Sequence, residues 1–399
     1  MVLKSKASET PTAVYLDYQA TTPVDPRVVD AMLPWFSERF GNAHSTQHAF
    51  GAQAAEAVEA ARARIAALLG AEPREIIFTS GATESNNMSI KGAARFARRH
   101  GRGDHLITFE TEHKCVLESC AALADEGIRT TLLKVGADGL VDLDALAVAI
   151  ENGTVLVSAM AVNNEIGIIQ PLAEIGKLCR ERGVLFHTDA AQAAGKIPLD
   201  VDAKSIDLMS VSGHKLYAPK GVGIIYVRRR PRARLLAEIS GGGQERGIRS
   251  GTLAVPLIVA MGVACKIADQ EMAQEVGRLA EFQRSMLSQL RAAVPDLVAN
   301  GSMEQRFAGN LNVGFPDIDA LALMAALNDV AVSTGSACTS GSVEPSYVLQ
   351  ALGLQHSILT GSIRIGFGRF TTQSEIDYAA RRITEEVAAQ RGGQEAAAE

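Results

Sequence analysis

Hydrophobic and polar positions divide the chain into two parts with different patterns. Up to about residue 270, short apolar runs rich in β-branched residues alternate with helix-length segments such as 51–69 and Leu172–Arg182. Runs of this kind are typical of buried parallel strands that are joined by crossover helices. The predicted strands are Ile76–Thr79, Leu106–Thr108, Val155–Val162, Val184–His187, Leu208–Val211 and Val222–Val227. The pattern predicts a large α/β domain with a mainly parallel sheet flanked by helices.

The pattern changes after Gln270. A long helical pattern over 270–293 leads to further predicted elements, which are a strand at Asn310–Phe315, a Gly/Ser-rich loop at 333–342, a strand at Ser362–Phe367 and a final helix from Ser374 to about Gln390. We interpret these elements as a smaller α/β domain that a strand around Val14–Asp17 completes. The predicted domains are 22–270 for the large one and 1–21 together with 271–399 for the small one.

Composition narrows the class of protein. The chain has 399 residues, 47% of them hydrophobic and 21% charged, which excludes disorder for most of its length. A net charge of −6 disfavours nucleic acid and anionic membranes as main partners. No apolar run is long enough for a membrane helix, and the start of the chain lacks the apolar segment of a secretory signal. Five cysteines without a CxxC pair support neither a disulfide framework nor a zinc site, so we expect a reduced, cytoplasmic protein.

Three motifs follow predicted strands, at the sheet edge where open α/β folds bind ligands. In the first, the strand Ile76–Thr79 runs into Ser80-Gly81-Ala82-Thr83, and a helix start at Ala82 and Thr83 could bind a phosphate. The same residues could form an ordinary strand-to-helix turn capped by Thr83. The motif taken by itself favours the turn.

The second and third motifs supply a carboxylate and a lysine. Asp189 ends a buried strand, with Gln192 three residues later, and it could pair with a protonated pyridine nitrogen or cap the following helix. Lys215 lies just after another strand, in Ser212-Gly213-His214-Lys215, where a desolvated amine can form a Schiff base. A phosphate site, a carboxylate and a lysine on successive strand ends are the contacts that pyridoxal phosphate requires.

Two residues in the second part of the chain indicate the reaction. Cys338 lies in the loop VSTGSACTSGSVEPS, which has almost no apolar anchor and could present the thiol as a nucleophile. Arg364, on a predicted apolar strand, could bind the α-carboxylate of an amino acid or form an ion pair with a structural carboxylate. Arg369 is the alternative carboxylate ligand.

Two features are less specific. His113 follows the strand Leu106–Thr108 and could stack on a cofactor ring, move protons or be structural. The segment GGGQERGIRSGT (241–252) could be an anion site or a cluster of turns. The chain contains no GxxxxGK[ST] motif and no GxGxxG after a first strand, which disfavours a dinucleotide enzyme.

These motifs are similar to those of a known family. The chain resembles the cysteine desulfurases of the class V aminotransferase group, which are fold-type I pyridoxal-phosphate enzymes with a seven-stranded sheet in the large domain. The similarity runs from YLDYQATTPVDPRV at residue 15 to GRFTTQSEIDY ending at residue 378 and includes FGNAHS, FTSGATES, TEHK, VNNEIG, HTDAAQ, SGHK, GGGQERGIRSGT, GSACTSGSVEPSYV and SIRIGFGRF. The long cysteine loop resembles the subgroup that supplies sulfur for iron–sulfur cluster assembly.

The resemblance implies a role for each matching residue. Lys215 would bind the cofactor covalently and move the α-proton, and Cys338 would take sulfur from L-cysteine as a persulfide, leaving alanine. The other implied contacts are Ala82, Thr83, Ser212 and His214 at the phosphate, Thr252 at the phosphate of the partner subunit in a homodimer, Asp189 at the pyridine nitrogen, Gln192 at the ring hydroxyl, His113 stacked on the ring, and Asn164 and Arg364 at the substrate, with Asn164 also near the cofactor. Cys338 would transiently share an iron–sulfur cluster on a scaffold, and the sulfur acceptor would be such a scaffold or another carrier protein.

Three alternatives share many of these residues. A selenocysteine lyase or another pyridoxal-phosphate β-lyase would act on a different substrate. A non-catalytic pyridoxal-phosphate protein could serve as a scaffold, although it would not need Lys215, Asp189, Cys338 and Arg364 together.

Overall fold

The computed structural model describes residues 13–335 and 345–398, and for 394–398 the backbone only. Within these ranges the strands are β1 (Val14–Tyr15), β2 (Ile76–Thr79), β3 (His105–Phe109), β4 (Arg129–Leu133), β5 (Thr154–Ser158), β6 (Leu185–Asp189), β7 (Leu208–Ser212), β8 (Gly223–Val227), β9 (Val298–Ala299), β10 (Asn310–Gly314), β11 (Val330–Ala331) and β12 (Ser362–Gly366). The α-helices are α1 (Pro26–Met32), α2 (Pro34–Ser37), α3 (Ala49–Leu69), α4 (Ala82–Arg99), α5 (Lys114–Ala121), α6 (Leu143–Ala149), α7 (Leu172–Arg182), α8 (Val255–Ala293), α9 (Ala320–Ala326), α10 (Tyr347–Ala351), α11 (His356–Thr360) and α12 (Gln373–Ala398).

Seven strands form the central sheet in the order β2-β8-β7-β6-β5-β3-β4. Strand β8 is antiparallel to both of its neighbours, and the pairs from β7 to β4 are parallel. Because β2 and β7 are each antiparallel to β8, they run in the same direction. The carboxyl ends of β2, β3, β5, β6 and β7 therefore meet at one edge, and the predicted seven-stranded, mainly parallel sheet is confirmed.

Alternate residues of each strand pack on opposite faces of this sheet. In β2, Ile76 and Phe78 join a core that contains α3, α7 and α8, whereas Ile77 joins a second core against α4 and α5. Both faces are covered, which is why the strand sequences read as continuous apolar runs instead of alternating ones.

The second part of the chain has its own antiparallel sheet in the order β12-β10-β9. Strand β1 pairs in parallel with β11, and Asp17 forms a bridge to Gly366 at the end of β12. The N-terminal strand thus contributes to this part, as the sequence predicts. None of the described helices combines the length and the hydrophobicity needed to span a lipid bilayer.

Several boundaries differ from the sequence prediction. Helix α8 begins at Val255, well before 270, because its first half is apolar and packs into the core instead of showing an amphipathic period. It therefore continues across the predicted domain boundary at 270, and the division into two domains stays a prediction. The exposed edge strand β4 was not predicted because its sequence RTTLL is largely polar. Helix α12 extends past Gln390 to Ala398.

Helix α8 packs closely along α3. A Cβ atom at Gly262 would lie 2.6 Å from the Cα atom of Ala61 in α3, so this contact requires a residue without a side chain. Gly277, further along α8, is exposed and has open space around the same position. The two glycines form a matched pair for a test of helix packing.

We expect opposite effects on stability from Gly262→Ala and Gly277→Ala. The first variant should lower the free energy of unfolding by about 1 to 3 kcal/mol, because its methyl group overlaps the backbone of α3. The second should raise it by up to about 1 kcal/mol, because alanine has the higher helix propensity. Urea unfolding curves measure both changes, and equal effects of the two substitutions would contradict the close packing of α3 on α8.

Candidate active site

A cavity of about 580 Å³ opens at the carboxyl edge of the central sheet. Its walls come from the segments that follow β2, β3, β6 and β7, from the loop after β1 and from β12. The predicted site residues that line it are Ala82, Thr83, His113, Asn164, Asp189, Gln192, Ser212, His214, Lys215 and Arg364. Thr252 is exposed and does not line the cavity of its own chain.

Asp189 is the last residue of β6, and its side chain is buried. The carboxylate accepts hydrogen bonds from Asn86 Nδ2 at 2.7 Å and from the backbone N–H of Ala191 at 2.9 Å. The second of these bonds is the turn-capping contact considered from the sequence, and it is made to Oδ1, whereas Asn86 binds Oδ2. Both donors are uncharged, so the buried carboxylate favours a cationic group in the cavity.

Lys215 ends a short 3₁₀ turn, Gly213–Lys215, that continues directly from β7. Its ammonium donates hydrogen bonds to the backbone carbonyls of Gln19 and Ala20, the latter at 2.7 Å. These carbonyls belong to the loop after β1, so the N-terminal segment holds the lysine at the cavity.

His113 and Asn86 are connected through Cys115. The backbone N–H of Cys115 donates to His113 Nδ1 at 3.2 Å, and the Cys115 Sγ atom lies 3.0 Å from the same nitrogen. Nδ1 is therefore an acceptor, so the neutral ring carries its proton on Nε2. Asn86 Nδ2 donates to the Cys115 thiol at 3.1 Å as well as to Asp189, so one network orients the histidine and the carboxylate.

The start of α4 has the features of a phosphate site. The helix begins at Ala82, directly after Gly81, which has a φ of 155° and open space around it. The first amides of the helix are therefore accessible from the cavity. His214 lies nearby in the cavity wall with Nδ1 3.0 Å from Thr21 Oγ1. Burial, together with the charges of Lys215, Lys220 and Lys196, lowers the pKa of His214 to about 4, so its ring is neutral at pH 7.

The segment 241–252 is tied to the same helix. Arg249 donates to Glu84 at 2.8 Å, and Glu84 also accepts from the backbone N–H of Ser80 at 2.9 Å. Burial alone would raise the pKa of Glu84, but these hydrogen bonds outweigh it and lower the pKa. Arg249 thus balances a carboxylate in the first turn of α4, which would otherwise repel a phosphate.

Arg364 on β12 forms the ion pair with a structural carboxylate that the sequence analysis considered, and its role as a substrate ligand stays a prediction. Its Nη2 atom pairs with Asp17 Oδ1 at 2.7 Å, and its Nη1 atom donates to the backbone carbonyl of Asn164 at 2.8 Å. Within 13–335 and 345–398, Arg364 Nε and Asn164 Oδ1 are buried without a hydrogen-bond partner. Unpaired buried polar atoms favour a ligand, and an amino-acid carboxylate and amine would satisfy them.

Arg369 lies elsewhere. It pairs with Asp25 and Glu275, each at 2.9 Å, and its guanidinium lies 4.1 Å from the ring centroid of Tyr217. These contacts make Arg369 a structural residue, and Arg364 stays the predicted carboxylate ligand.

Cys338 lies outside the described residues. Gly335, three positions earlier, lines the cavity, so the described chain leads to the cysteine from the cavity wall. Gly335 has a φ of +90°, and a Cβ atom there would lie 2.7 Å from Glu165 Oε2. The backbone at this point therefore requires glycine.

Sequence reasoning missed several residues of the site. Asn86 orients Asp189, the carbonyls of Gln19 and Ala20 bind Lys215, and Lys196 donates to Gln192 at 3.0 Å. Asn86 could have been found by helical spacing, because it lies one turn after Thr83. The backbone carbonyls leave no signal in the side-chain pattern.

The comparisons with known proteins agree with this geometry. The family model for aminotransferase class-V matches residues 14–379. The chain belongs to the class-V aminotransferase family. The cofactor of this family is pyridoxal phosphate, which confirms the prediction made from the strand-end motifs.

Class-V relatives with similar sequences and structures cover nearly the whole chain. A mouse protein named cysteine desulfurase is 55% identical over 94% of this chain and 81% of its own length. A solved NifS-like protein has a TM-score of 0.88 at 36% identity and covers 94% of this chain and 99% of its own. The structure titled SspA in complex with cysteine has a TM-score of 0.80 at 38% identity, over 90% of this chain and 99% of its own.

The residues of the cavity fit pyridoxal phosphate, the cofactor of class-V aminotransferases. Asp189 offers a carboxylate for a protonated pyridine nitrogen, the start of α4 offers amides for the phosphate, and Lys215 offers the amine. The cavity volume is within the range of small-molecule sites.

His187, two residues before Asp189, gives the site a pH-dependent stability. Its ring bridges β5 and β7, with Nδ1 2.8 Å from Ser158 Oγ and Nε2 3.0 Å from Ser210 Oγ. Burial lowers its pKa from 6.5 to about 3. The unfolded chain therefore binds a proton between these values that the folded chain does not, so stability is lost as the pH falls below 6.5.

We expect His187→Asn to reduce this loss. The free energy of unfolding of the unmodified protein should fall between pH 6.5 and 4 with a contribution from His187 of about 1.4 kcal/mol per pH unit, and the variant should lack that contribution. Urea unfolding at several pH values and constant cofactor saturation measures the slope. The exposed His356→Asn variant serves as control, and equal slopes for all three proteins would contradict a neutral buried His187.

Proposed function

We propose that the protein is a pyridoxal-phosphate-dependent cysteine desulfurase that converts L-cysteine to L-alanine and leaves the sulfur as a persulfide on Cys338. The observation that carries the proposal is one cavity lined by Lys215, Asp189, Arg364 and Gly335, with Cys338 three residues further along the chain. The name of the 55% identical mouse protein supports the reaction, and the neighbouring structure with cysteine supports the substrate.

The reaction balances without a further reactant. The bond between the β-carbon and sulfur of L-cysteine breaks, and a bond forms between that sulfur and the Cys338 sulfur. The β-carbon is reduced to the methyl group of alanine, and the Cys338 sulfur is oxidised to the persulfide level. The thiol protons of the substrate and of Cys338 provide the hydrogen balance.

The residues of the cavity support distinct tasks. Arg364 Nε and Asn164 Oδ1 bind and orient the amino acid through its carboxylate and amine, because both are buried and unpaired among the described residues. Lys215 holds the cofactor and moves the α-proton. His113 accepts from Cys115 at Nδ1, so its opposite ring nitrogen, Nε2, offers a proton. Bound pyridoxal phosphate supplies the electron sink for these proton transfers. Ala82, Thr83, Ser212 and His214 bind its phosphate, and Gln192 contacts its ring oxygen.

Substitution of the two central residues tests this function. Cys338→Ala should retain the yellow cofactor band but lose formation of sulfide and alanine from L-cysteine with a thiol reductant, because the sulfur has no acceptor. Lys215→Ala should lose the covalently bound cofactor as well as turnover. Sulfide and alanine are measured together, and mass spectrometry locates the persulfide.

Cys115→Ser provides the matched comparison, because Cys115 is a thiol that lines the same cavity. A persulfide found on Cys115 instead of Cys338 would contradict the assigned acceptor. Equal sulfide release by Cys338→Ala and the unmodified protein would favour a β-lyase. Faster turnover of selenocysteine than of cysteine would favour a selenocysteine lyase, and bound cofactor without turnover of either would favour a scaffold.

We also propose a homodimer in which each subunit supplies Thr252 to the phosphate site of the other. Thr252 is exposed and lies outside the cavity of its own chain. An apolar face is available for the second copy, since its large side chains are each more than half exposed; they are Leu33, Phe36, Phe40 and Phe50. The rings of Phe40 and Phe50 lie 5.6 Å apart, so these two exposed side chains form one apolar patch.

Charges on this apolar face should separate the subunits. We expect Phe40→Asp to give monomers in sedimentation analysis and to weaken cofactor binding at least about tenfold, which corresponds to about 1.4 kcal/mol from the lost phosphate contact. Leu132→Asp, at a similarly exposed apolar residue on β4, should leave the dimer intact. Thr252→Ala should weaken cofactor binding without separating the subunits, and unchanged cofactor affinity in both Phe40→Asp and Thr252→Ala would contradict the shared site.

The sulfur on Cys338 needs an acceptor outside this chain. The acceptor is a sulfur-carrier protein or an iron–sulfur scaffold, on which Cys338 would transiently share a cluster. Transfer of labelled sulfur from the Cys338 persulfide to an added scaffold protein would test this step. Location in the cytoplasm also stays a prediction.

A further inference from the structure

Lys196 is a buried lysine that the proposed reaction does not use. It follows Gln192 by four residues, in the turns after β6, and is 8% exposed. Its ammonium donates to Gln192 Oε1 at 3.0 Å and lies 5.6 Å from the ring centroid of Phe307. In 13–335 and 345–398 it forms no ion pair, which is unusual for a lysine at this depth.

The charges around Lys196 are mostly positive. Lys215 and His214 face it from the turn after β7, and Arg364 faces it from β12. Glu275 on α8 is the carboxylate that attracts it. Burial, followed by repulsion from Lys215, lowers the pKa of Lys196 to about 7. Such a residue costs stability, and an apolar side chain would fill the same space at lower cost.

The contact with Gln192 has a definite polarity. In its charged form Lys196 can only donate hydrogen bonds, and the oxygen of the Gln192 amide faces its ammonium group. The NH₂ group then faces the other way, and it donates to the backbone carbonyl of Gln19 at 2.8 Å. The same carbonyl accepts from Lys215, so one line of contacts joins Lys196, Gln192, Gln19 and Lys215.

We propose that Lys196 is a positioning residue that fixes the Gln192 amide with its NH₂ group toward the cofactor site and toward the carbonyl that binds Lys215. The inference rests on the assignment of Gln192 to the ring oxygen of the cofactor in the proposed function. Without Lys196 the amide can rotate and present its oxygen, which repels an anionic ring oxygen instead of binding it.

The titration of the visible cofactor band tests this role without measuring turnover. In Lys196→Met holoenzyme, the midpoint of the titration should rise by about 0.5 to 1 pH unit, because a positive charge and an oriented donor that both disfavour the protonated chromophore are lost. Lys220→Met is the matched control for charge alone, since Lys220 also lines the cavity and also acts on His214. It should move the midpoint by less than half as much.

A double-mutant cycle separates the amide from the charge. If Lys196 acts through Gln192, Lys196→Met should add no more in a Gln192→Leu background than Lys220→Met adds there. Lys196→Gln keeps an uncharged donor, so its midpoint should differ from that of the unmodified protein by no more than the midpoint of Lys220→Met does. It provides the same comparison if Lys196→Met does not fold.

Two outcomes would overturn the inference. One is a midpoint that Lys196→Met moves no further than Lys220→Met does, and the other is full additivity of the Lys196 and Gln192 substitutions. The titration requires bound cofactor but not desulfuration. Absence of sulfide and alanine in the turnover assay therefore contradicts the proposed function alone, while an unmoved midpoint contradicts the role of Lys196 alone.

Discussion

The site depends on a carboxylate that is buried at the end of a parallel strand and that has no charged partner among residues 13–335 and 345–393. In these ranges the donors to Asp189 are the amide of Asn86 and a backbone N–H. Uncharged hydrogen bonds offset only part of the cost of burying this charge, so the cavity is most stable when a cation stands against it. A protonated pyridine would meet that requirement at the end of β6, where Asp189 lines the cavity.

The same constraint explains why α4 lies where it does. Asn86 must reach Asp189 across the sheet edge, and its helix must also begin beside the cavity so that its first amides are free. One helix would therefore serve both ends of the cofactor: its N-terminus would bind the phosphate, and its second turn orients the Asp189 carboxylate. The antiparallel strand β8 makes this possible, since it allows β2, which precedes α4, to run in the same direction as β6 and β7.

The sequence predicts the parts of this arrangement that depend on local pattern. Strand β2 and helix α7 have the predicted bounds, because each is a short apolar or amphipathic segment between strong turn signals. Asp189, Lys215 and the start of α4 were found because function in this architecture collects at strand ends. Asn86 and Lys196 were not found, since their roles depend on contacts between separate segments. A lysine in AAGKIP has the sequence context of a solvated side chain, and only its depth in the structure shows otherwise.

One buried carboxyl group, that of Glu165, contacts the described chain on either side of residues 336–344. Gly335, before these residues, packs against Glu165 with no room for a side chain, and the Ser346 hydroxyl, after them, donates to the same carboxyl. Burial raises the pKa of Glu165, an effect that the hydrogen bond from Ser346 and the charge of Arg364 partly oppose. Because Arg364 is also the proposed carboxylate ligand, substrate binding and these contacts of Glu165 share one electrostatic environment. Removal of Arg364 should therefore affect more than substrate affinity, since it also changes the charge beside the Glu165 carboxyl group that contacts Gly335 and Ser346.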